Sequence, residues 1–392
     1  MAKIADAFSI IRNGANIKQG LDDSGYPITR IETISNRTVD RNKMGYAGVT
    51  DISKYFDYVL QNGDILMSHI NSETHLGKVA LYKKQEDETI IHGMNLLCLR
   101  PKKELLDSRY AFYYLSSDAF LRQIPRITKK SVNQASFNVA ALKELTIPIP
   151  EIEKQRDIVR GLDKVSELIV RRKEQLAKLD ELVKSRFIEL FGDCLTNPKC
   201  WKTKCLEDIA EVGSSKRVFV EELQEEGIPF YRGTEVGALA EGKQIIPELF
   251  ITEQHYVELC EATGAPQVGD LLMPSICPDG RIWVVNTDKP FYFKDGRVLW
   301  VHAIDASYNS VFLLYTLKDR IMTDYSSIAS GTTFAELKIF ALKKCRVFDV
   351  PITLQNQFAA FVEQTDKSKL VIQQSLDKLE LMKKALMQKY FG

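Results

Sequence analysis

The sequence predicts an α+β fold with a pseudo-twofold internal repeat. In this fold, two tandem globular modules are separated by two long helices that pack as an antiparallel coiled coil. Three observations predict it: motifs that recur in the same order at an offset near 200 residues, two long heptad patterns, and short β-type runs between turn residues. The expected boundaries are residues 1–147 for module 1, 148–192 for the first spacer helix, 193–349 for module 2 and 350–392 for the second spacer helix.

The internal repeat rests on four pairs of matching segments in the same order. Such a duplication is the signature of an architecture built twice from one unit. The pairs are Gly25–Arg30 with Gly227–Arg232, Gly63–Met67 with Gly269–Met273, Ile152–Gln155 with Leu354–Gln357, and Leu176–Gly192 with Leu376–Gly392.

Each module is predicted to mix short strands with short helices. The runs 79–82, 96–99, 282–285 and 298–301 are rich in β-branched and aliphatic residues between turn residues, which favours strands. Apolar spacing of three and four predicts helices over 106–121 and 308–320. Gly63-Asp64 and Gly269-Asp270 are expected to form turns that lead into the following strand. Because no regular βαβ alternation is present, the sheets should be mostly antiparallel.

The spacer helices carry apolar residues at alternating spacings of four and three, which is the heptad pattern of a coiled coil. The first seam comprises Ile158, Leu162, Val165, Ile169, Leu176, Leu179, Val183 and Leu190, with Arg172 and Arg186 at two further positions. The second comprises Val362, Thr365, Ile372, Leu376, Leu379, Leu386 and Tyr390. An oligomer zipper would show the same pattern. The duplication favours pairing of the two helices within one chain.

Composition excludes some classes of protein. The 392 residues include 53 Lys and Arg against 52 Asp and Glu, a formal net charge of +1, and 45% are hydrophobic, which is typical of globular proteins. No run approaches the roughly 18 apolar residues of a membrane span. The first residues lack a secretory apolar core, so we expect a cytoplasmic protein whose seven scattered cysteines are reduced.

No segment carries a complete catalytic, cofactor or metal motif. Gly237–Lys243 begins like a phosphate-binding loop but is followed by Gln244, where a hydroxyl residue is required. Cys194, Cys200 and Cys205 lack the paired spacing of a zinc site. The sequence therefore predicts no catalytic residue and no metal ligand.

With these features in place, the chain resembles the specificity subunits of type I restriction–modification systems (the HsdS family). The resemblance rests on the doubled Gly-X-Pro-X-X-Arg and Gly-Asp-[Ile/Leu]-Leu-Met motifs, the segment ending at Gln155, the helix end Ser185–Gly192 and the module start Trp201–Ile209. It implies a non-catalytic subunit with two target recognition domains. Each domain would bind one half of an asymmetric bipartite sequence in double-stranded DNA.

The resemblance also implies partners and the cofactors they hold. The paired helices would set the spacing between half-sites and dock two modification (methyltransferase) subunits, and motor–nuclease (restriction) subunits would join them. S-adenosylmethionine, ATP and magnesium are then expected on those partners, with no cofactor in this chain.

Candidate DNA contacts are cations beside hydroxyl and amide side chains. Residues 119–143 contain no acid and five cations. Such a composition suits phosphate and base-edge contacts, although a solvated basic loop has the same composition. The predicted contacts are Arg30, Arg122, Arg126, Lys129, Lys130, Asn133 and Gln134 in module 1, and Lys216, Arg217, Arg232, Arg281, Thr332 and Thr333 in module 2.

Two questions are left open by the sequence. Arg30 and Arg232 occupy equivalent repeat positions, which fits either a shared phosphate contact or a shared salt bridge. Leu168, Leu182, Phe187 and Met387 are predicted to lie on the exposed apolar side of the helices and to seat the modification subunits, unless the helix pair itself covers them.

Two other functions compete with DNA recognition. A duplicated protein-interaction scaffold without sequence-specific DNA binding would show the same architecture. A self-sufficient nuclease or methyltransferase is disfavoured, since the magnesium and methyl-donor motifs are missing.

Overall fold

The chain forms two compact units of mixed helix and strand. The computed structural model describes residues 1–17, 24–35, 37–131, 134–331 and 335–392. Unit 1 combines Met1–Glu174 with Gln373–Gly392, and unit 2 comprises Gln175–Ile372. Unit 1 is therefore assembled from two separated stretches of sequence, whereas unit 2 is continuous.

The strands, numbered in chain order, are short. Those of unit 1 are β1 (Ala2–Lys3), β2 (Phe8–Asn13), β3 (Pro27–Ile28), β4 (Gly45–Tyr46), β5 (Ile65–Ser68), β6 (Ile70–Asn71), β7 (Val79–Leu81), β8 (Leu96–Pro101), β9 (Lys129–Lys130), β10 (Ala135–Ser136) and β11 (Thr146–Ile147). Those of unit 2 are β12 (Thr203–Cys205), β13 (Glu211–Gly213), β14 (Ile228–Tyr231), β15 (Phe250–Ile251), β16 (Leu271–Pro274), β17 (Trp283–Val284), β18 (Tyr292–Phe293), β19 (Val298–His302), β20 (Ala329–Ser330), β21 (Glu336–Leu337) and β22 (Arg346–Phe348).

Two helices are much longer than the others. The α-helices are α1 (Ile4–Ala7), α2 (Ser108–Leu115), α3 (Asp118–Leu121), α4 (Val139–Glu144), α5 (Ile152–Phe191), α6 (Gly233–Ala240), α7 (Glu253–Thr263), α8 (Ser310–Ile328), α9 (Ile339–Lys343) and α10 (Ile352–Phe391). Short 3₁₀ helices occupy Ile31–Ile34, Arg41–Lys43, Ser53–Tyr58, Glu73–His75, Ile124–Arg126, Leu206–Asp208 and Val220–Glu222.

Each unit is built around a four-stranded sheet with the same plan. The strand order is β2-β8-β5-β7 in unit 1 and β13-β19-β16-β17 in unit 2. The pairing within both sheets is antiparallel, as predicted. Among the described strand pairs, only β14 with β18 is parallel. All four predicted strand runs coincide with β7, β8, β17 and β19.

The repeated Gly-Asp motif forms the same turn in both units. Gly63 and Gly269 have φ angles of +94° and +98°, a region that favours glycine. The following carboxylate closes the turn, because Asp64 accepts from the Gln61 N–H at 2.7 Å and Asp270 accepts from the Gln267 N–H at 2.8 Å. The sequence prediction of a turn leading into a strand is confirmed at both places.

The predicted short helices are present with changed limits. The segment expected as one helix over 106–121 is divided into α2 and α3, because the Ser117 side chain accepts from the Phe120 N–H and starts a new helix. The helix expected over 308–320 extends to Ile328 as α8, with a break at Asp324.

The long helices pack antiparallel within each unit. In unit 1, Arg172 Nε donates to Ser375 Oγ at 3.2 Å and Lys173 Nζ lies 2.9 Å from Glu380 Oε1. In unit 2, Lys369 Nζ lies 2.7 Å from Asp180 Oδ1. Ile158 and Leu162 share the core of unit 1 with Leu386 and Tyr390, and Phe187 packs on Phe358 in unit 2, so residue numbers rise along one helix as they fall along the other. The predicted antiparallel pair is therefore present in the fold.

A buried glutamine fixes the start of each long helix. Gln155 and Gln355 are both fully buried. Gln155 accepts from the Asp107 N–H and donates to the Leu105 and Pro150 carbonyls. Gln355 accepts from the Asn309 N–H and donates to the Ser307 and Val350 carbonyls.

These identical contacts correct the predicted alignment. The sequence motif pairs Gln155 with Gln357, whereas the residue equivalent to Gln155 in the structure is Gln355, two positions earlier. Gln357 is exposed, whereas Gln355 makes the equivalent hydrogen bonds. The motif alone could not separate the two residues, because the deciding partners lie 46 to 48 positions away.

Candidate nucleic-acid interface

The basic segment of module 1 is displayed on a small β-sheet. β9 and β10 form an antiparallel hairpin, and β10 also pairs with β6. The Ser131 N–H and hydroxyl both donate to the Gln134 carbonyl at 2.8 Å, which closes the hairpin end. Phe137, directly after β10, is buried in the core and anchors the hairpin to the unit.

Three cations within or just before this hairpin in the sequence have no described partner. The side chains of Arg122, Arg126 and Lys129 are exposed and form no hydrogen bond or ion pair with any residue that the structure describes. Lys130 Nζ lies 2.8 Å from Glu73 Oε1, but both side chains are more than half exposed, so the pair is weak. This cluster (Arg122, Arg126, Lys129 and Lys130, hereafter the hairpin cations) can neutralise phosphates without first losing a strong partner.

A neutral histidine lies beneath the hairpin sheet. The His69 carbonyl accepts from the Phe137 N–H at 3.1 Å, and the ring is 5% exposed. Burial lowers the pKa of His69, so the ring adds no positive charge at neutral pH. His69 therefore does not add to the charge of the hairpin cations.

Module 2 presents arginines that face carboxylates. Arg217 Nε lies 3.2 Å from Asp295 Oδ2, and Arg281 Nε lies 2.8 Å from Asp279 Oδ2. Lys216 is exposed, and its backbone N–H donates to the Tyr292 hydroxyl at 3.1 Å. A phosphate would have to replace an existing carboxylate at each of these arginines.

Arg232 is held more firmly than the other predicted contacts. Its guanidinium lies 2.6 Å from Glu235 Oε1 and 3.1 Å from Glu248 Oε2. Burial raises the pKa of Glu235, but the hydrogen bonds from Arg232 outweigh this and lower it to about 2. Of the two roles left open by the sequence, a salt bridge is the one seen here for Arg232.

Arg30 lies at the equivalent place in unit 1 but in different surroundings. Its backbone N–H donates to Thr33 Oγ1 at 2.8 Å, just as the Arg232 N–H donates to Glu235. The half-buried guanidinium lies against Gly45, where an added Cβ would be 2.4 Å from Arg30 Nε. Gly45 thus leaves the space that this side chain occupies. DNA contact by Arg30 or Arg232 stays a prediction.

The remaining predicted contacts divide into two groups. Gln134 is exposed at the hairpin end, with its side chain directed to no described partner. Asn133, Thr332 and Thr333 lie outside the described residues.

One predicted docking residue is misplaced, because Phe187 is 2% exposed and belongs to the core of unit 2. Its ring centroid lies 5.1 Å from that of Phe191 and 5.4 Å from that of Phe358. The prediction that Phe187 lies on the exposed side is therefore wrong. The signal was available, because Phe187 follows Val183 by four residues and so continues the apolar seam.

The other three docking candidates are more accessible. Leu182 is 48% exposed, and Leu168 and Met387 are half-buried. The sequence reasoning missed exposed apolar residues elsewhere on the long helices, namely Val170, Ile188, Leu370, Val371, Leu381 and Met382. They fall between seam positions, where an apolar residue has no partner in the helix pair.

The described residues contain no group of three or more His, Cys, Asp and Glu side chains placed to hold a metal ion. Across the same residues, no helix is both long and apolar enough to span a membrane.

Comparison with known proteins shows a consistent similarity to one family. The model of the type I restriction modification DNA specificity domain matches residues 1–180. A Methanocaldococcus jannaschii protein, named as a specificity subunit of the type I restriction enzyme MjaX, is 29% identical over 98% of this chain and 91% of its own length. The chain is thus similar to type I specificity subunits over nearly its whole length.

Other matches agree with this placement. A Haemophilus influenzae protein named as a type I restriction enzyme specificity subunit is 25% identical over 73% of both chains. The crystal structure of the S subunit of a type I restriction–modification system from M. genitalium is 17% identical, with a TM-score of 0.59 over 100% of this chain and 95% of that one. These relatives are named as specificity subunits, and the crystal structure shows that the fold is shared.

Proposed function

We propose that this chain is the non-catalytic DNA sequence-specificity subunit of a type I restriction–modification enzyme and recognises an asymmetric bipartite target. Modules 1 and 2, residues 1–147 and 193–349, are the target recognition domains, and each binds one half-site. The segments 148–192 and 350–392 are the spacer helices. The observation that carries this proposal is a duplicated framework bearing two different charged surfaces.

The duplication supports two separate target recognition domains rather than one extended DNA-binding site. Both halves of the chain repeat the Gly-Asp turn and the buried glutamine at the start of the long helix, so the backbone framework is the same. The cations differ, since the hairpin cations of module 1 are free or weakly paired, and the arginines of module 2 face carboxylates. A shared framework with different surface chemistry suits recognition of two unlike half-sites.

The surface chemistry supports contact with DNA. Free Arg and Lys side chains neutralise phosphates and release counterions. Gln134 and Ser131 at the hairpin end offer the amide and hydroxyl groups that hydrogen-bond to base edges. In module 2, an arginine fork released from its carboxylate can make a bidentate contact with guanine.

The long helices are proposed to dock two methyltransferase subunits, with motor–nuclease subunits joining the assembly. Exposed Leu182, Val170 and Leu381 support a protein contact on the helices outside the seam. S-adenosylmethionine, ATP and magnesium would be held by these partners, and the assembly would work in the cytoplasm, where its DNA is located.

Selection from a random pool of duplex DNA tests the proposal. The chain is co-purified with its modification subunit, and bound duplexes are recovered in the presence of methyl donor. Two short, unlike half-sites at a fixed spacing are expected. A pool without sequence preference would overturn the proposal and favour the interaction scaffold.

A further inference from the structure

Unit 1 contains a cavity of about 460 Å³ between the α2–α3 junction and the two long helices. Three lysines, Lys173, Lys383 and Lys384, lie around it, and Ile169 and Met387 supply an apolar surface. The Ser116 and Ser117 hydroxyls donate to carbonyls of α2 and Lys173 is paired with Glu380, whereas Lys383 and Lys384 have no described partner. We call this space the Lys383 cavity.

Lys383 is the unusual group in this cavity. It is half-buried and forms no hydrogen bond or ion pair within the described part of the chain. Burial lowers its pKa, and the neighbouring positive charges of Lys173 and Arg37 lower it further. A half-buried ammonium group without a counter-ion is energetically costly.

The acids near Lys383 are engaged elsewhere. Glu380 Oε1 lies 2.9 Å from Lys173 Nζ. Asp163 accepts from the Tyr113 hydroxyl at 2.7 Å and from Arg109 at 2.7 Å. Asp118 also lines the cavity, but it is exposed and forms no ion pair in the structure as described. The fold therefore leaves the charge of Lys383 without a direct partner.

Unit 2 provides an internal comparison. With the 200-residue offset set by Gln155 and Gln355, the residue equivalent to Lys383 is Val183, which is 1% exposed in the core. One half-buried lysine of unit 2, Lys369, lies 2.7 Å from Asp180 and 3.3 Å from Asp366, and these acids raise its pKa although burial opposes them. A half-buried lysine at this position is therefore not required by the repeat.

We infer that the Lys383 cavity is a protein-interaction site that receives an acidic side chain of a partner docked on the long helices of unit 1. Charge complementarity selects a carboxylate, and the apolar surface of Ile169 and Met387 packs against its methylene groups. The recess between helices suits a protruding side chain better than the convex backbone of a duplex. The inference rests on the proposed function, in which the modification subunit docks on these helices.

The test compares Lys383→Met with the matched control Lys378→Met. Lys378 lies on the same helix, is exposed and does not line the cavity. Affinity of the full chain for its modification subunit is measured at low and high salt. Lys383→Met should weaken assembly by roughly tenfold or more and flatten its salt dependence, because a desolvated charge pair is lost. Lys378→Met should behave as wild type, and Lys383→Arg should restore most of the affinity.

Two further measurements separate binding from folding. The urea midpoint of free Lys383→Met should equal or exceed that of the wild-type chain, because a costly half-buried charge is removed. Lysine acetylation mapped by mass spectrometry should show Lys383 protected on assembly and Lys378 still labelled. Equal labelling of Lys383 in the free and assembled states would overturn the inference.

The remaining outcomes are also decisive. Wild-type assembly by Lys383→Met would overturn this inference alone, provided that selection still recovers two half-sites. Loss of DNA binding with unchanged assembly would assign the cavity to DNA phosphate and overturn the carboxylate assignment. Failure of the wild-type chain both to assemble and to select DNA would overturn the proposed function together with the inference.

Discussion

The Gly-Asp turns of the two modules share a backbone but differ in the group that holds the aspartate. In module 1, Asp64 accepts two hydrogen bonds of 2.7 Å from Arg100. In module 2, Asp270 accepts from the indole N–H of Trp300 at 2.9 Å. The sheet registers place His302, rather than an arginine, at the position of Arg100.

The surfaces of the modules also differ, but in the opposite sense. Module 1 displays the hairpin cations, of which only Lys130 has a described partner, whereas module 2 pairs Arg217, Arg232 and Arg281 with acids. In both comparisons the two modules share the backbone framework but differ in the partners of the side chains around it.

Replacing the two equivalent aspartates should have unequal effects. Asp64→Asn should destabilise unit 1 by about 3 kcal/mol, because it leaves the largely buried Arg100 without its carboxylate. Asp270→Asn should change stability by less than about 1 kcal/mol, since the amide oxygen can still accept from Trp300. Urea unfolding followed by hydrogen exchange in each unit measures both, and equal losses would show that the turns do not differ.

The pH dependence sharpens this test. Burial raises the pKa of Asp270, so its ionised form is disfavoured in the folded chain. The resulting cost is fully present at neutral pH and disappears as pH falls below the unfolded carboxyl pKa of about 3.9. Any advantage of Asp270→Asn over wild type at pH 7 should therefore shrink towards zero near pH 4, whereas a constant difference would contradict the assignment.

The buried glutamines should respond alike, in contrast to the aspartates. Gln155→Leu and Gln355→Leu each remove three hydrogen bonds and leave buried backbone groups unsatisfied. Each should cost about 2 kcal/mol of unfolding free energy. Gln357→Leu is the control, expected within about 0.5 kcal/mol of wild type because the residue is exposed. Denaturant titration measures these free energies. A larger loss of unfolding free energy for Gln357→Leu than for Gln355→Leu would support the alignment predicted from the sequence.

Neutralising three hairpin cations should weaken DNA binding through its salt dependence. For Arg122→Gln, Arg126→Gln and Lys129→Gln combined, the slope of log affinity against log salt should fall by about 0.9 for each lost phosphate contact, or about 2.7 for three. The control carries the same charge change at exposed Lys54, Lys83 and Lys103. Equal slopes for the two triple variants would place the DNA elsewhere on the chain.

Releasing one arginine should make module 2 more like module 1. Asp295→Asn frees Arg217 from its carboxylate and should raise DNA affinity a few-fold (about 1 kcal/mol or less), as expected for an exposed pair. Asp288→Asn removes an exposed acid that has no described partner and serves as the control. A loss of affinity in Asp295→Asn would instead show that Asp295 orients Arg217 for contact with a base.

Local patterns were sufficient to predict much of the fold. The spacing of apolar residues predicted α5 and α10, and Gly63-Asp64 predicted its turn, because both depend on residues close in sequence. The division of the module 1 helix at Ser117 was missed, although a serine is a common helix start.

The site was less predictable, because it depends on distant pairs. The sequence identified Arg217 as a cation, but its partner Asp295 lies 78 residues away. The cavity lysine, Lys383, is an ordinary helix residue in sequence, and only the antiparallel pairing brings Lys173 beside it. Phe187 was misassigned because the predicted heptad seam included Val183 and Leu190 but left out Phe187, which lies in the same core.

The discontinuity of unit 1 also sets an order of events during synthesis. Phe391 packs against Tyr110 and Tyr114, at ring-centroid distances of 5.4 Å and 5.8 Å, so this core needs residues from both parts of the chain. About 200 residues separate Glu174 from Gln373. At 5–20 residues per second, the ribosome needs roughly 10–40 s to make them. During that interval Tyr110 and Tyr114 lack their contacts with Phe391. Unit 2, which is continuous in sequence, can therefore complete its core before unit 1 does.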